Sequence, residues 1–297
     1  MAALLLLSHA KRKAKDAGVP IPTVWQSLAD LGVHFRRSQV AMVVAAPGVG
    51  KSAFTLNLAI RSGAKGIYMS ADSDEVTQAF RAAAILTGDP VAEIENAYKA
   101  GKGEKYDRAL REFTNVWFDF DASPSLQHIE EEVLAYAYMY GEWPEILVLD
   151  NLVNVFDESG GEGFAGQENT MSFLVDMARK TEAQVTVLHH VVGDAESGDQ
   201  PLKLKDTRGK ITKLQTLVIG LAYTDDYLTT GRPLGAYVLK NRSGRADASG
   251  GLSVTLQADL DRMLITDLDE KPMPASTYGV SDDVWDDFQR DFVETMQ

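Results

Sequence analysis

The stretch VAMVVAAPGVGKSAFTLNLAI, residues 40–60, limits the fold more than any other part of the chain. Val40 to Ala45 form a short apolar run rich in β-branched residues, a glycine loop follows, and SAFTLNLAI then carries apolar residues at helical spacing. The pattern reads as strand, loop, helix. The same alternation recurs in GIYMS before DEVTQAFRAAAILTG, VWFDF before SLQHIEEEVLAYAYM, EILVLD before ENTMSFLVDMARKT, and finally QVTVLHH. Strands separated by helices predict an α/β fold, a mostly parallel central sheet with helices on both faces.

After residue 210 the rhythm changes to TLVIGLAY, LGAYVLKNR and GGLSVTLQ, separated by short polar breaks with no room for crossover helices. These segments predict antiparallel strands extending one edge of the sheet. No internal repeat or long linker interrupts the pattern. One unit is therefore expected over 23–268, with an N-terminal linker-like segment at 1–22 and an acidic tail at 269–297.

The 297 residues, 45% of them hydrophobic, suffice for one sizeable core. The absence of cysteine removes disulfides, thiolate metal sites and a cysteine nucleophile. The opening AALLLL is too short to span a bilayer and has no basic residue before it. A net charge of −14 opposes indiscriminate coating of nucleic acid, so any contact with DNA must use a local basic strip.

Ala45-x4-Gly50-Lys51-Ser52 matches the P-loop pattern with Ala in place of the first Gly. Ala46, Pro47, Gly48, Val49, Gly50, Lys51, Ser52 and Ala53 form the expected nucleotide cradle. Backbone N–H groups and a helix N-terminus face the phosphates, Lys51 reaches the β and γ phosphates, and the Ser52 hydroxyl holds Mg²⁺. Gly48 and Gly50 are expected because a Cβ would obstruct the tight backbone. EILVLD ends an apolar run in Asp150, which suits the second Mg²⁺ ligand at a strand's C-terminal end. The alternatives are a glycine turn with an incidental lysine, and a helix-capping aspartate.

Residues 23 to 266 resemble the RecA-like motor domain of the DnaB family of replicative helicases. IYMSADSDEVTQAFR, VWFDFDASPSLQHIEEEV, EILVLDNLV, VTVLHH and YVLKNRSGR carry the resemblance, in the family's order. It implies an ATP- and Mg²⁺-dependent enzyme that moves 5′ to 3′ on single-stranded DNA in replication, assembled as a homo-oligomer, most naturally a hexameric ring, in a bacterial cytoplasm.

Position by position, the resemblance makes Asp72 the carboxylate that polarises the attacking water, where the family usually has Glu. Asp74 and Glu75 are nearby alternatives, and a helix cap is the bland role for an aspartate here. His190 falls on the γ-phosphate sensor, where the bacterial enzymes usually carry Gln, with His189 as a bystander. Lys240 and Arg242 lie two apart and leave one face of a strand. In the family such a pair reaches the γ-phosphate held by the neighbouring subunit.

VVGDAESGDQPLKLKDTRGKITKLQ concentrates Lys203, Lys205, Arg208, Lys210 and Lys213. The resemblance turns this loop toward a central channel, where phosphates of single-stranded DNA are gripped. VFDESGGEGFAGQEN is acidic and glycine-rich, a second loop with Phe164 as its contact residue. At the N-terminus Lys11, Arg12, Lys13 and Lys15 follow AALLLL, and nothing ahead of them has the size of a primase or primase-interacting domain. The compact motor-only form points to a phage. The tail spaces Trp285, Phe288 and Phe292 as an aromatic stripe among acids, fit for its own core or for replication proteins. A RecA-like recombinase and an ATP-regulated helicase loader or accessory DNA-binding protein are the competing readings.

Overall fold

A computed structural model describes residues 18–156, 164–225 and 231–268. The basic N-terminal segment, the centre of the acidic loop, the C-terminal tail and the side chains of Phe164 and Lys210 lie outside the described residues.

The helices are α1 (Gln26–Asp30), α2 (Lys51–Arg61), α3 (Glu75–Thr87), α4 (Val91–Lys99), α5 (Glu104–Glu112), α6 (Leu126–Tyr140) and α7 (Phe164–Thr181). The strands are β1 (Val40–Ala45), β2 (Gly66–Ser70), β3 (Val116–Asp119), β4 (Ile146–Asp150), β5 (Gln184–His190), β6 (Leu217–Tyr223), β7 (Arg232–Asn241), β8 (Ser253–Asp259) and β9 (Leu264–Asp267). They form one sheet in the order β3-β2-β4-β5-β1-β6-β7-β8-β9. Every residue of β1, β2, β4 and β6 is buried, as expected of strands covered by helices on both faces. Along β8 burial alternates around Leu256 and Ala258, the mark of a sheet covered on one face.

The parallel part reaches one strand further than the sequence suggests. TLVIGLAY was expected to be antiparallel, yet β6 pairs parallel with β1, and only β7, β8 and β9 run antiparallel. The return from β5 to β6 needs no full crossover helix, because three short 3-10 turns at Gly193–Ser197, Leu204–Asp206 and Arg208–Lys210 carry the chain back. Similarly α7 begins at Phe164, so the second half of the expected acidic loop is helix.

Residues 18–37 belong to the core. Gly18 and Ile21 donate backbone hydrogen bonds to Arg37 and Phe35, and Trp25 stacks on Phe54 of α2 with ring centroids 4.0 Å apart. The Trp25 indole N–H donates to the Ile265 carbonyl (2.8 Å), tying this segment to β9. The start of the chain's described part thus braces the helix that follows the glycine loop.

Candidate nucleotide site

Register brings the expected residues together. Ala45 pairs with His190 across β1 and β5, and Ser70 pairs with Asp150 across β2 and β4, so the C-terminal ends of four parallel strands meet at one sheet edge. Such an edge is where ligands bind in open α/β sheets. Between β1 and α2 the chain turns at Gly48 (φ +76°) and Gly50 (φ +109°). A Cβ on Gly48 would meet nothing within 4 Å, so dihedral strain explains this glycine better than the crowding expected from the sequence. Gly50 caps α2 with no side-chain hydrogen bond, leaving the helix's first N–H groups directed at the loop's concavity.

Lys51 is buried, and its ammonium donates to the Ala46 carbonyl (3.3 Å) across the loop. Burial lowers its pKa from the ordinary lysine value, against the charges of Asp150 and Asp72. Asp150 is 2% exposed and accepts hydrogen bonds from the hydroxyls of Ser52 and Tyr68, the latter at 2.8 Å. Burial raises its carboxyl above the usual range, and the two hydroxyls oppose that rise. Tyr68 is itself driven up by burial and by Asp150, so its phenol stays a neutral donor. Sequence alone places Tyr68 in the core, because nothing but tertiary packing aims its hydroxyl at Asp150.

The turn after β2 carries Asp72. Ser70 Oγ donates to the Ser73 carbonyl (2.9 Å) and accepts from Gln78 Nε2 (2.7 Å), while Ala71 N–H donates to the Asp150 carbonyl (2.7 Å). Asp74 caps α3, accepting from Thr77 N–H (2.9 Å) and the Thr77 hydroxyl (2.7 Å), which commits this alternative carboxylate to the helix. Glu75 is exposed in the first turn. Asp72 faces the site and accepts from Asn151 Nδ2 at 3.1 Å.

Asn151, not singled out in the sequence, joins two of the expected residues. Its Nδ2 also lies 2.9 Å from His190 Nε2, and its Oδ1 accepts from Val153 N–H at 3.2 Å. The Val153 contact fixes which end of the amide is oxygen, so Nδ2 donates to both Asp72 and His190. His190 Nε2 is then the acceptor and the ring's proton sits on Nδ1. Burial and the charge of Lys51 lower the His190 pKa, keeping the imidazole neutral. The available signal for Asn151 was its place directly after the apolar run ending in Asp150.

The other expected groups lie elsewhere. Lys240 Nζ donates to the carbonyls of Thr212 (2.5 Å) and Lys213 (3.0 Å), and Arg242 Nη2 to that of Lys213 (2.7 Å). Register puts Asn241 level with Leu217 and Ala41, about 13 Å along the strand from Ala45. The basic pair therefore cannot reach its own chain's glycine loop. Lys203, Lys205 and Arg208 are exposed on the β5–β6 connection, while Lys213 pairs with Glu168 at 3.6 Å. That connection is anchored from below by His189, whose Nε2–H donates to the Arg208 carbonyl (3.0 Å).

A glycine-turned loop opening a helix at the end of β1, with a hydroxyl and a carboxylate beside it, defines a RecA-like P-loop NTPase fold. The solved ATPase domain of a DnaB-like helicase superposes with a TM-score of 0.73 at 17% identity, covering 90% of this chain and 98% of that one. A DnaB-like replicative helicase, solved in a study of its interactions with primase, gives the same TM-score and identity over 90% of this chain and 66% of its own. The chain has the DnaB-like ATPase fold. In sequence it is 37% identical over 257 residues to the Gene 65 protein of Mycobacterium phage L5, covering 85% of this chain and 94% of that protein. The Gene 65 protein of Mycobacterium phage D29 is 35% identical over 235 residues, covering 77% and 100%. The chain belongs to the family of these mycobacteriophage Gene 65 proteins. No family model matches it. Among the described residues no helix is long and apolar enough to cross a membrane.

Proposed function

We propose that this chain is the ATP-hydrolysing motor of a ring-forming DNA helicase or translocase, with residues 23–268 as the motor unit. The observation that carries the reading is the separation of charges. Lys51, Asp72, Asp150 and His190 meet at one sheet edge, whereas Lys240 and Arg242 sit at the other and can serve only a nucleotide held by another copy.

The donor set fits ATP and Mg²⁺. The uncapped N-terminus of α2 suits an anion, and a hydroxyl beside a carboxylate suits a hard divalent cation. Ser52 and Asp150 would hold Mg²⁺, which when bound neutralises charge on the phosphates. Lys51 steadies the β and γ phosphates. Asp72 accepts a proton from, and orients, the attacking water, with Asn151 fixing the carboxylate's angle. His190 offers Nδ1–H to a phosphate oxygen. Arg242 and Lys240 of the adjacent copy stabilise the charge that develops in transfer, so subunit motion and turnover are linked. Lys203, Lys205, Arg208 and Lys210 bind the DNA phosphates.

The test combines native mass measurement with ATP, fork unwinding on the same sample, and Arg242→Ala. The expected result is a ring that unwinds, and an Arg242→Ala variant that binds nucleotide but turns over at least about a hundredfold more slowly. Wild-type turnover in the variant overturns the shared-site reading. A filament that exchanges strands would indicate a recombinase, and a monomer that binds DNA without unwinding would indicate a loader.

A further inference from the structure

A second cluster of ligating side chains lies away from the nucleotide site, where edge strand β3 meets α6. Asp119 ends β3, and His128 and Glu132 stand one turn apart on α6, so both project from the same helix face. His128 Nε2 lies 2.7 Å from Asp119 Oδ2 and 3.2 Å from Oδ1. One ligating atom each from Asp119, His128 and Glu132 can be chosen so that all three lie within 4.8 Å of one another. Asp121 Oδ2 is 4.0 Å from the same imidazole nitrogen. The Asp119 side chain is only 8% exposed, that of His128 30%, so the cluster is walled by protein and open on one side.

An ion pair between His128 and Asp119 accounts for those two residues and leaves Glu132 unexplained. Among the described residues no hydrogen bond or ion pair involves the Glu132 carboxylate. Burial and the charge of Asp119 both raise its pKa, because two carboxylates face a single imidazole. A divalent ion resolves that repulsion, and the donors select its class. One imidazole nitrogen with two or three carboxylate oxygens suits Zn²⁺, Mn²⁺ or Co²⁺, and the nitrogen disfavours Mg²⁺ and Ca²⁺.

We propose that Asp119, His128 and Glu132, with Asp121 as a fourth donor, form a binding site for a divalent transition-metal ion of the Zn²⁺ or Mn²⁺ type. Entry of the ion displaces the proton shared between His128 and Asp119 to solvent, and those two groups move apart by a few tenths of an ångström, to the roughly 3 Å spacing of ligands around such an ion. The bound ion clamps the edge strand to α6. Three strands, β2, β4 and β5, separate β3 from β1, so the site lies about 19 Å across the sheet from the phosphate loop and is independent of it.

The experiment uses the full chain, stripped with chelator and free of nucleotide, titrated with Co²⁺ and then Zn²⁺. Visible absorption of Co²⁺ reports coordination by nitrogen and oxygen, and calorimetry reports Zn²⁺ stoichiometry. One equivalent bound at low-micromolar concentration is expected. Glu132→Gln, which breaks no hydrogen bond, and His128→Ala should each weaken binding at least about tenfold, while Asp150→Asn leaves it unchanged. No Co²⁺ spectrum, an affinity indifferent to Glu132→Gln, or loss of binding in Asp150→Asn would each overturn the proposal. Failure here leaves the nucleotide reading intact, since nucleotide binding is measured separately on the same variants.

Discussion

Replacing Gly198 by alanine should loosen the phosphate loop from outside it. Gly198 ends the first turn of the β5–β6 connection with φ +76°, and its carbonyl accepts from Tyr223 N–H (2.8 Å) on β6. Holding an alanine at that dihedral costs about 1–2 kcal/mol. The added Cβ would fall 2.6 Å from Val49 Cγ2 and 3.4 Å from Ala46 Cβ, both in the glycine loop. Ordinary carbon contacts begin near about 3.5 Å, and Val49 is buried and stiff at χ1, so the overlap adds about 1–3 kcal/mol. The total is about 2–5 kcal/mol. Gly48→Ala is the internal control, because Gly48 has the same φ of +76° but nothing within 4 Å of its would-be Cβ. It should lose only about 1–2 kcal/mol. Urea denaturation without nucleotide, followed by tryptophan fluorescence, compares the two midpoints directly. A Gly198→Ala variant as stable as Gly48→Ala would show that the contact with Val49 carries no weight.

Two further outcomes follow from single side chains. Burial lowers the pKa of His189 to about 4, with Nε2–H committed to Arg208 and Nδ1 buried without a partner. The unfolded chain binds this proton near about pH 6.5, so the contribution to stability is complete above that pH and falls as pH drops toward the folded value. The loss attributable to His189 is about 2 kcal/mol by pH 5, read as the difference in urea-midpoint slope between wild type and His189→Gln; equal slopes refute it. Asn151→Ala removes donors to Asp72 and His190, costing about 1–3 kcal/mol in the transition state. Steady-state ATPase assays should show kcat falling about 10- to 100-fold with KM little changed, and an unchanged kcat refutes the positioning role.

Lys51, Asp150 and His190 were legible because each stands at the end of an apolar run, where a strand must leave the sheet. The same logic misjudged β6, since three late strands without intervening helices read as a meander, and 3-10 turns leave no periodic trace. α4 and α5 were passed over because they are short and highly charged. β9, four residues after a turn, was too brief to declare itself. Tyr68 and Asn151 escaped for another reason. Their identities suit a core strand and a helix start, and only packing between β2, β4 and β5 turns them toward Asp150, Asp72 and His190. The Asp119, His128 and Glu132 cluster is similar, with a helical spacing visible in the sequence but its third member supplied by a strand.

The parallel pairing of β6 has a mechanical consequence. β5 and β6 flank β1, and the basic connection between them is pinned through His189 below and through Gly198 against Val49. A load on that connection is therefore shared by both neighbours of the strand that feeds the glycine loop. The loop has a third bearing point at Val49. Tension applied at Lys203 or Lys205 reaches the phosphate cradle over a few residues, without bending the sheet.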